Sequence, residues 1–240
     1  SQLELLLVSG YSGVGKSTLV NEIQKPVAEK RGIFISGKYG QLQRSVPYTG
    51  ISQAFDMFCR HLLTEPVGVL EKWQQKIKTA VGNSGQVLLD IIPALEQIIG
   101  PQSSVAKVGA QETQNRFNVL FQNFTRAICS AESPLVLFLD DLQWADRASL
   151  DLFKVLLIDS DIQNLLIIGA YRDNEVDAGH PLSLTLLDIR QSGKTINTIH
   201  LDNLAHIDVN QLIADTLQSD LNFTQPLADL VYDKTQGNAF

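Results

Sequence analysis

The stretch GYSGVGKST, Gly10 to Thr18, sets three glycines ahead of a lysine and two hydroxyls. Glycine lets a backbone curl tightly enough for successive N–H groups to point at one anion. Where such a loop opens a helix, the helix N-terminus adds a favourable field for negative charge. The spacing fits GxxxxGK[ST] in full, with Gly10, Gly15, Lys16 and Ser17 at its fixed positions. Phosphate binding is the chemistry expected: Lys16 reaching the β and γ phosphates of ATP or ADP, and the Ser17 hydroxyl as a ligand of Mg²⁺. Gly10, Ser12, Gly13, Val14, Gly15, Lys16, Ser17 and Thr18 form the expected cradle. The competing account is a Gly-rich turn before an ordinary helix, with Lys16 merely solvated. An apolar strand ahead of the loop and a second motif downstream argue against it.

The second motif is LVLFLDDLQWAD, Leu135 to Asp146, where an apolar run ends in two adjacent carboxylates. In P-loop proteins such a strand supplies the acid that holds the metal's water shell, so Asp140 is the expected Mg²⁺ partner of Ser17. Asp141 could orient and polarise the water that attacks the γ phosphate, or only position a neighbour. Asp146 has the place of a helix N-cap. In IIGAYRDNE, Arg172 follows another apolar run and could contact the γ phosphate from the same rim. It could equally pair with Asp173 or Glu175 on a solvated loop. Arg116 and Arg147 are weaker candidates, and His61, His180, His200 and His206 show no ligand spacing.

These residues need strands that end at one rim. LELLLVSG (3–10), GIFISGKY (32–39), the run ending at Asp140, LLIIGAY (165–171) and TINTIHL (195–201) read as strands. GKSTLVNEIQKPVAEK is helical until Pro26 disturbs it. Phe117, Leu120, Phe121, Phe124 and Ile128 repeat at helical spacing from Glu112 to about Pro134. Helices are also expected from about Arg147 and near 181–191. Alternating strands and helices, with strands apolar on both faces, predict an α/β fold with a mostly parallel sheet sandwiched by helices. Ligands gather beyond the carboxyl ends of such strands. Between residues 50 and 110 the pattern turns to helices broken near Pro66, at GNSG and at GPQSS, a helical insertion into a core of residues 1–203. Residues 204–240 read as the start of a helical lid, with Val209, Leu212, Ile213 and Leu217 on one face and DLVYDKTQGNAF as a second helix.

The chain has 240 residues, 44% hydrophobic, with formal net charge −7. That is enough for a real core and gives no basic footprint for nucleic acid or an anionic membrane. Cys59 and Cys129 stand far apart with no CxxC, which fits a reducing, cytoplasmic setting. No apolar run reaches the roughly 18 residues of a membrane span. The absence of an initial Met and the ending at Phe240 within a helix-turn segment suggest a piece of a longer protein.

Together GYSGVGKST, GKYGQLQRSVPYTGISQAF, QNRFNVLFQNF, PLVLFLDDLQWAD, IIGAYRDNEV, and HLDNLAHIDVNQLIADTL leading to TQGNAF resemble the AAA-type ATPase domains of the STAND class of signal-transduction ATPases. The likeness covers nearly the whole chain. It is greatest to the module found in large bacterial, often cyanobacterial, hybrids of a Ser/Thr kinase-like domain with GAF and histidine-kinase domains. The resemblance implies an ASCE-type P-loop NTPase with a five-stranded sheet, in which the strand ending at Arg172 lies between the P-loop strand and the Asp140 strand. It also implies roles for Lys16, Ser17, Asp140, Asp141 and Arg172 like those above. Such proteins carry GNP where this chain has Gly237, Asn238 and Ala239, and in the class that proline helps contact the adenine. Ala239 lacks its ring.

The function expected is a Mg²⁺-dependent ATP switch of low turnover that acts on other domains of the same polypeptide and could self-associate on ATP binding. Positioning supplies most catalysis at such sites, and no second arginine is clearly placed to complete the charge clamp. The parent protein's kinase activities, if any, would reside in other domains. The alternative is a non-catalytic nucleotide-binding scaffold. A small-molecule kinase is disfavoured by the scattered arginines, a GTPase by the lack of NKxD, and a DNA-acting ATPase by the acidic balance.

Overall fold

The computed structural model describes residues 3–43, 46–104 and 109–238. The first apolar run forms β1 (Glu4–Gly10), and its loop leads into α1 (Lys16–Asn21). Gly15 caps α1 with φ 99°, a conformation that an L side chain rarely adopts. A separate helix follows, α2 (Gln24–Glu29), so the helical stretch breaks before Pro26 and not at it. Pro26 is the third residue of α2, in the first turn, where its missing N–H costs no helical hydrogen bond. Next come β2 (Ile33–Lys38), then α3 (Thr49–Leu63), α4 (Val67–Val81), α5 (Gln86–Leu89), α6 (Glu96–Ile99) and α7 (Ala110–Ile128). The remainder is β3 (Leu135–Asp140), α8 (Arg147–Ile158), β4 (Leu165–Tyr171), α9 (Pro181–Gln191), β5 (Ile196–Leu201), α10 (His206–Leu217) and α11 (Leu221–Thr235). The last helix starts earlier than its apolar pattern suggests, because Asp220 accepts hydrogen bonds from the Asn222 and Phe223 N–H groups and nucleates it.

All five strands are parallel, in the order β2-β3-β4-β1-β5. The strand ending before Arg172 therefore lies between the P-loop strand and the Asp140 strand, as the resemblance implied. One face of the sheet, with Leu5, Leu7, Ile35, Leu137 and Ile167, packs into a large core shared with α3, α7, α8 and α9. Phe55 of α3 meets Phe121 edge to face at 5.1 Å and Phe124 at 5.6 Å, which fixes α3 against α7. On the other face Val8, Phe138, Ile168 and Ala170 close over Val20 of α1. β5 departs from the expected pattern. It is an edge strand with most of its residues exposed, and its alternation reflects polar groups on an open face.

One close approach and one strand register position the site. Gly37 lies so near α3 that a Cβ there would fall 1.8 Å from the Gly50 carbonyl oxygen, and this contact places Lys38 at the rim. Lys38 is in register with Asp140 across the β2/β3 pair.

Candidate functional site

The P-loop leaves β1 at Gly10 and delivers Lys16 as the first residue of α1. Its ammonium is buried and donates to the Gly10 carbonyl at 2.7 Å and the Tyr11 carbonyl at 2.6 Å. Burial, and then the nearby Arg172 guanidinium, hold the Lys16 pKa below the usual lysine value against the pull of Asp140, Asp141 and Asp173. Ser17 Oγ donates to Asp140 Oδ2 at 2.8 Å, joining the P-loop helix to the end of a strand two places away.

Asp140 closes β3 and is buried, as is Asp141. The Asp141 N–H donates to Asp140 Oδ1 at 2.9 Å. Asp141 itself has φ 55° and ψ 46°, a left-handed turn that short polar residues tolerate best. That turn sends its carboxylate back toward the rim, where Gln143 Nε2 donates to Oδ1 at 2.8 Å and Lys38 Nζ pairs with Oδ2 at 3.0 Å. Lys38 also lies 3.3 Å from Asp140 Oδ2. Burial acts to lower the Lys38 pKa, but its bonds to Asp141 and Asp140 outweigh that and hold it above the usual value.

Arg172 follows β4 and faces the same cavity, with its Nε 3.6 Å from Asp141 Oδ1. It also donates to Glu175 at 2.8 Å and stacks over the Trp144 ring at 4.7 Å. Of the two loop partners expected for Arg172, it takes Glu175 and not Asp173, while its side chain also lines the cavity. Asp173 instead pairs with His200 at 3.2 Å. Arg116 and Arg147 pair with Glu112 and Asp151 on their own helices, away from the cavity. Asp146 caps α8 by accepting from the Ser149 N–H at 2.9 Å, and it also accepts from the Tyr48 N–H.

The cavity measures about 550 Å³ and opens between Ser12, Lys16, Lys38, Asp140, Arg172 and Asn238. Its Ser17 hydroxyl and Asp140 carboxylate are hard oxygen donors of the kind that could hold a divalent cation beside a polyphosphate. Among the described residues no group of three or more His, Cys, Asp or Glu gathers to hold a metal. Sequence reasoning missed Lys38, Gln143 and Asn238. Lys38 lies in a strand that sequence reading placed over 32–39, but its pairing with the Asp140 strand comes only from the fold. Asn238 could not be foreseen either, since its Nδ2 donates to the Ser12 carbonyl at 2.9 Å across the length of the chain. Ala239 lies outside the described residues. A larger groove of about 1030 Å³ adjoins the cavity across Lys38 and is walled by Tyr39, Trp144 and Pro93.

A family model described as an AAA ATPase domain matches residues 1–168. The chain is 29% identical over 300 residues to hybrid signal transduction histidine kinase G of Dictyostelium discoideum, an alignment covering 99% of this chain and 8% of that protein. It is 22% identical over 161 residues to histidine protein kinase 1 of Candida albicans, covering 61% of this chain and 6% of that protein. The chain thus spans less than a tenth of the length of these relatives. A nucleotide-binding module of signalling proteins is the setting these matches share with the sheet and loop described above, and the chain belongs to the AAA ATPase domain family.

Proposed function

We propose that the chain is a Mg²⁺-dependent ATP-binding switch that hydrolyses ATP slowly and passes its state to other domains of a larger cytoplasmic signalling protein. The observation that carries this reading is the 2.8 Å hydrogen bond between Ser17 and Asp140, which joins the P-loop to the acid of a separate strand. Residues 1–203 are the catalytic core, with a helical insertion over about 50–110, and residues 204–240 begin a helical lid. Self-association on ATP binding is part of the proposal, since a second protomer could add a cation to the site. A Mg²⁺ held at the site would supply positive charge against the negative charge that develops on the phosphates. Ser17 and Asp140 would hold it. Lys16 would leave the loop carbonyls for the β and γ phosphates, and the loop N–H groups would fix their orientation. Asp141 would orient a water and take its proton, and Arg172 would steady the γ phosphate.

One observation favours the second reading, a nucleotide-binding module without turnover. The Asp141 carboxylate is already engaged by Lys38, Gln143 and Arg172, so it has to release partners before it can face a water. Two measurements decide. Nucleotide carried through purification, identified by mass spectrometry after denaturation, should be ADP or ATP, and GDP would remove the adenine assignment. Phosphate release from Mg·ATP should be detectable in the wild type and absent in Lys16→Ala. If none is seen even on self-association, the binding module stands and the hydrolase does not.

A further inference from the structure

The loop after β3 and the loop after β4 are stitched together by side chains that the proposed chemistry leaves unused. Gln143 Oε1 accepts from the Arg172 backbone N–H at 3.1 Å. Trp144 Nε1 donates to Glu175 Oε2 at 3.0 Å, and Arg172 Nη1 donates to Glu175 Oε1 at 2.8 Å. The two oxygens of one carboxylate thus serve the indole and the guanidinium, while the guanidinium lies on the indole face at 4.7 Å. A free arginine side chain loses rotamer freedom when a ligand immobilises it, and that loss weakens binding. Here most of the freedom is removed beforehand by a stacked ring and a carboxylate. Arg172 is 24% exposed and Glu175 33%, so the pair is not sealed, and a more highly charged anion can compete with the carboxylate for the guanidinium.

We infer that Trp144 and Glu175 are positioning residues that hold the Arg172 guanidinium at the wall of the phosphate cavity, and that the site tells ATP from ADP through this holder. The inference rests on the ATP site proposed above and deepens it. The γ phosphate is the group that separates the two nucleotides, and Arg172 is the cation just beyond β4, the strand between the P-loop strand and the Asp140 strand. Gln143 separately ties the Arg172 backbone to Asp141, so that link does not pass through the indole.

The test is calorimetric titration of the full chain with Mg·ATP and with Mg·ADP. Arg172→Gln should weaken ATP binding about tenfold, the size of one lost charge-assisted contact, and leave ADP within roughly twofold. Trp144→Ala should reproduce that loss. Trp144→Phe keeps a ring face but not the bond to Glu175 and should lose less. The double variant Trp144→Ala/Arg172→Gln should bind ATP no worse than Arg172→Gln alone, because the indole acts only through the guanidinium. A Trp144→Ala chain that keeps the wild-type ratio of ATP to ADP affinity, or losses that add in the double variant, would overturn the inference. If Trp144→Ala does not fold, Glu175→Gln and Trp144→Phe decide in its place, and an unchanged ratio in both sinks the idea. A wild type that binds both nucleotides equally removes the holder and spares the site. A wild type that binds neither, like Lys16→Ala, removes the site itself.

Discussion

Asp141 is held by three partners, and this decides how its substitution should read. Asp141→Asn keeps the shape of the side chain and its contact with Gln143 but gives up the charge that a general base needs. If the residue is a general base, phosphate release should fall by about a hundredfold or more while ATP affinity changes little. A rate within a fewfold of wild type in single-turnover assays would assign Asp141 to holding its neighbours. Lys38 sets a different signature. Its pKa is raised in the folded chain, so its pairing stabilises the fold fully below the ordinary lysine value and is lost as pH rises through the higher folded value. Its side chain is 60% exposed, so solvent screening limits the effect to about 1 kcal/mol. Urea denaturation should therefore separate wild type from Lys38→Met near neutral pH, and the gap should close at strongly alkaline pH. A gap that persists there would mean that the aliphatic stem of Lys38 acts through packing. Lys16, Ser17, Asp140 and Asp141 were legible in sequence because each sits at a fixed distance from an apolar strand. Lys38, Gln143 and Trp144 were not, because their roles come from neighbouring strands and loops that only the fold brings together.

The elements deliver these groups through close packing, and glycine marks where that packing is tightest. Gly37→Ala would drive a methyl group into the backbone of Gly50, which cannot move without shifting α3 off β2. The expected cost is about 3 kcal/mol, with loss of the Lys38 pairing to both acids. Gly68 in α4 is the contrast: nothing lies within 4 Å of an added Cβ, so Gly68→Ala should stabilise the chain by about 0.5 kcal/mol through the unfolded state. Thermal melts of the two variants should move in opposite directions, and parallel shifts would mean that the β2/α3 contact is not the constraint. The three inner strands, β1, β3 and β4, were legible as apolar runs, because a parallel sheet covered on both faces needs apolar residues along its inner strands. β5 was placed by its threonines and isoleucines, although its exposure could not be foreseen. The split between α1 and α2 was hidden because Pro26 is harmless in a first turn and so does not mark the break.

At the scale of the whole molecule, the question is how the cavity could move anything beyond itself. α10 and α11 pack on each other but expose much of their apolar surface, with Ile207 71% and Phe223 75% exposed. The turn after α11 supplies ties from this pair to the core. Leu204 N–H donates to the Gly237 carbonyl at 2.9 Å, Asn203 Nδ2 to the Gln236 carbonyl at 3.0 Å, and Asn238 Nδ2 to the P-loop carbonyl of Ser12 at 2.9 Å. Gly237 has φ 77°, and a Cβ there would sit 2.0 Å from the Leu204 carbonyl oxygen, so only glycine fits this docking. Gly237→Ala should therefore loosen the helical pair without unfolding the sheet. Hydrogen exchange in α10 and α11 should quicken by roughly tenfold or more, while β1, β3 and β4 keep their protection. If the P-loop also senses this turn through Ser12, nucleotide added to the wild type should change exchange in the two helices, and that response should be blunted in the variant. Exchange in the helices that ignores both the substitution and the nucleotide would leave the pair as a passive appendage, and a signal from the site would then need another route out, with the groove beside Lys38 and Trp144 the next surface to probe.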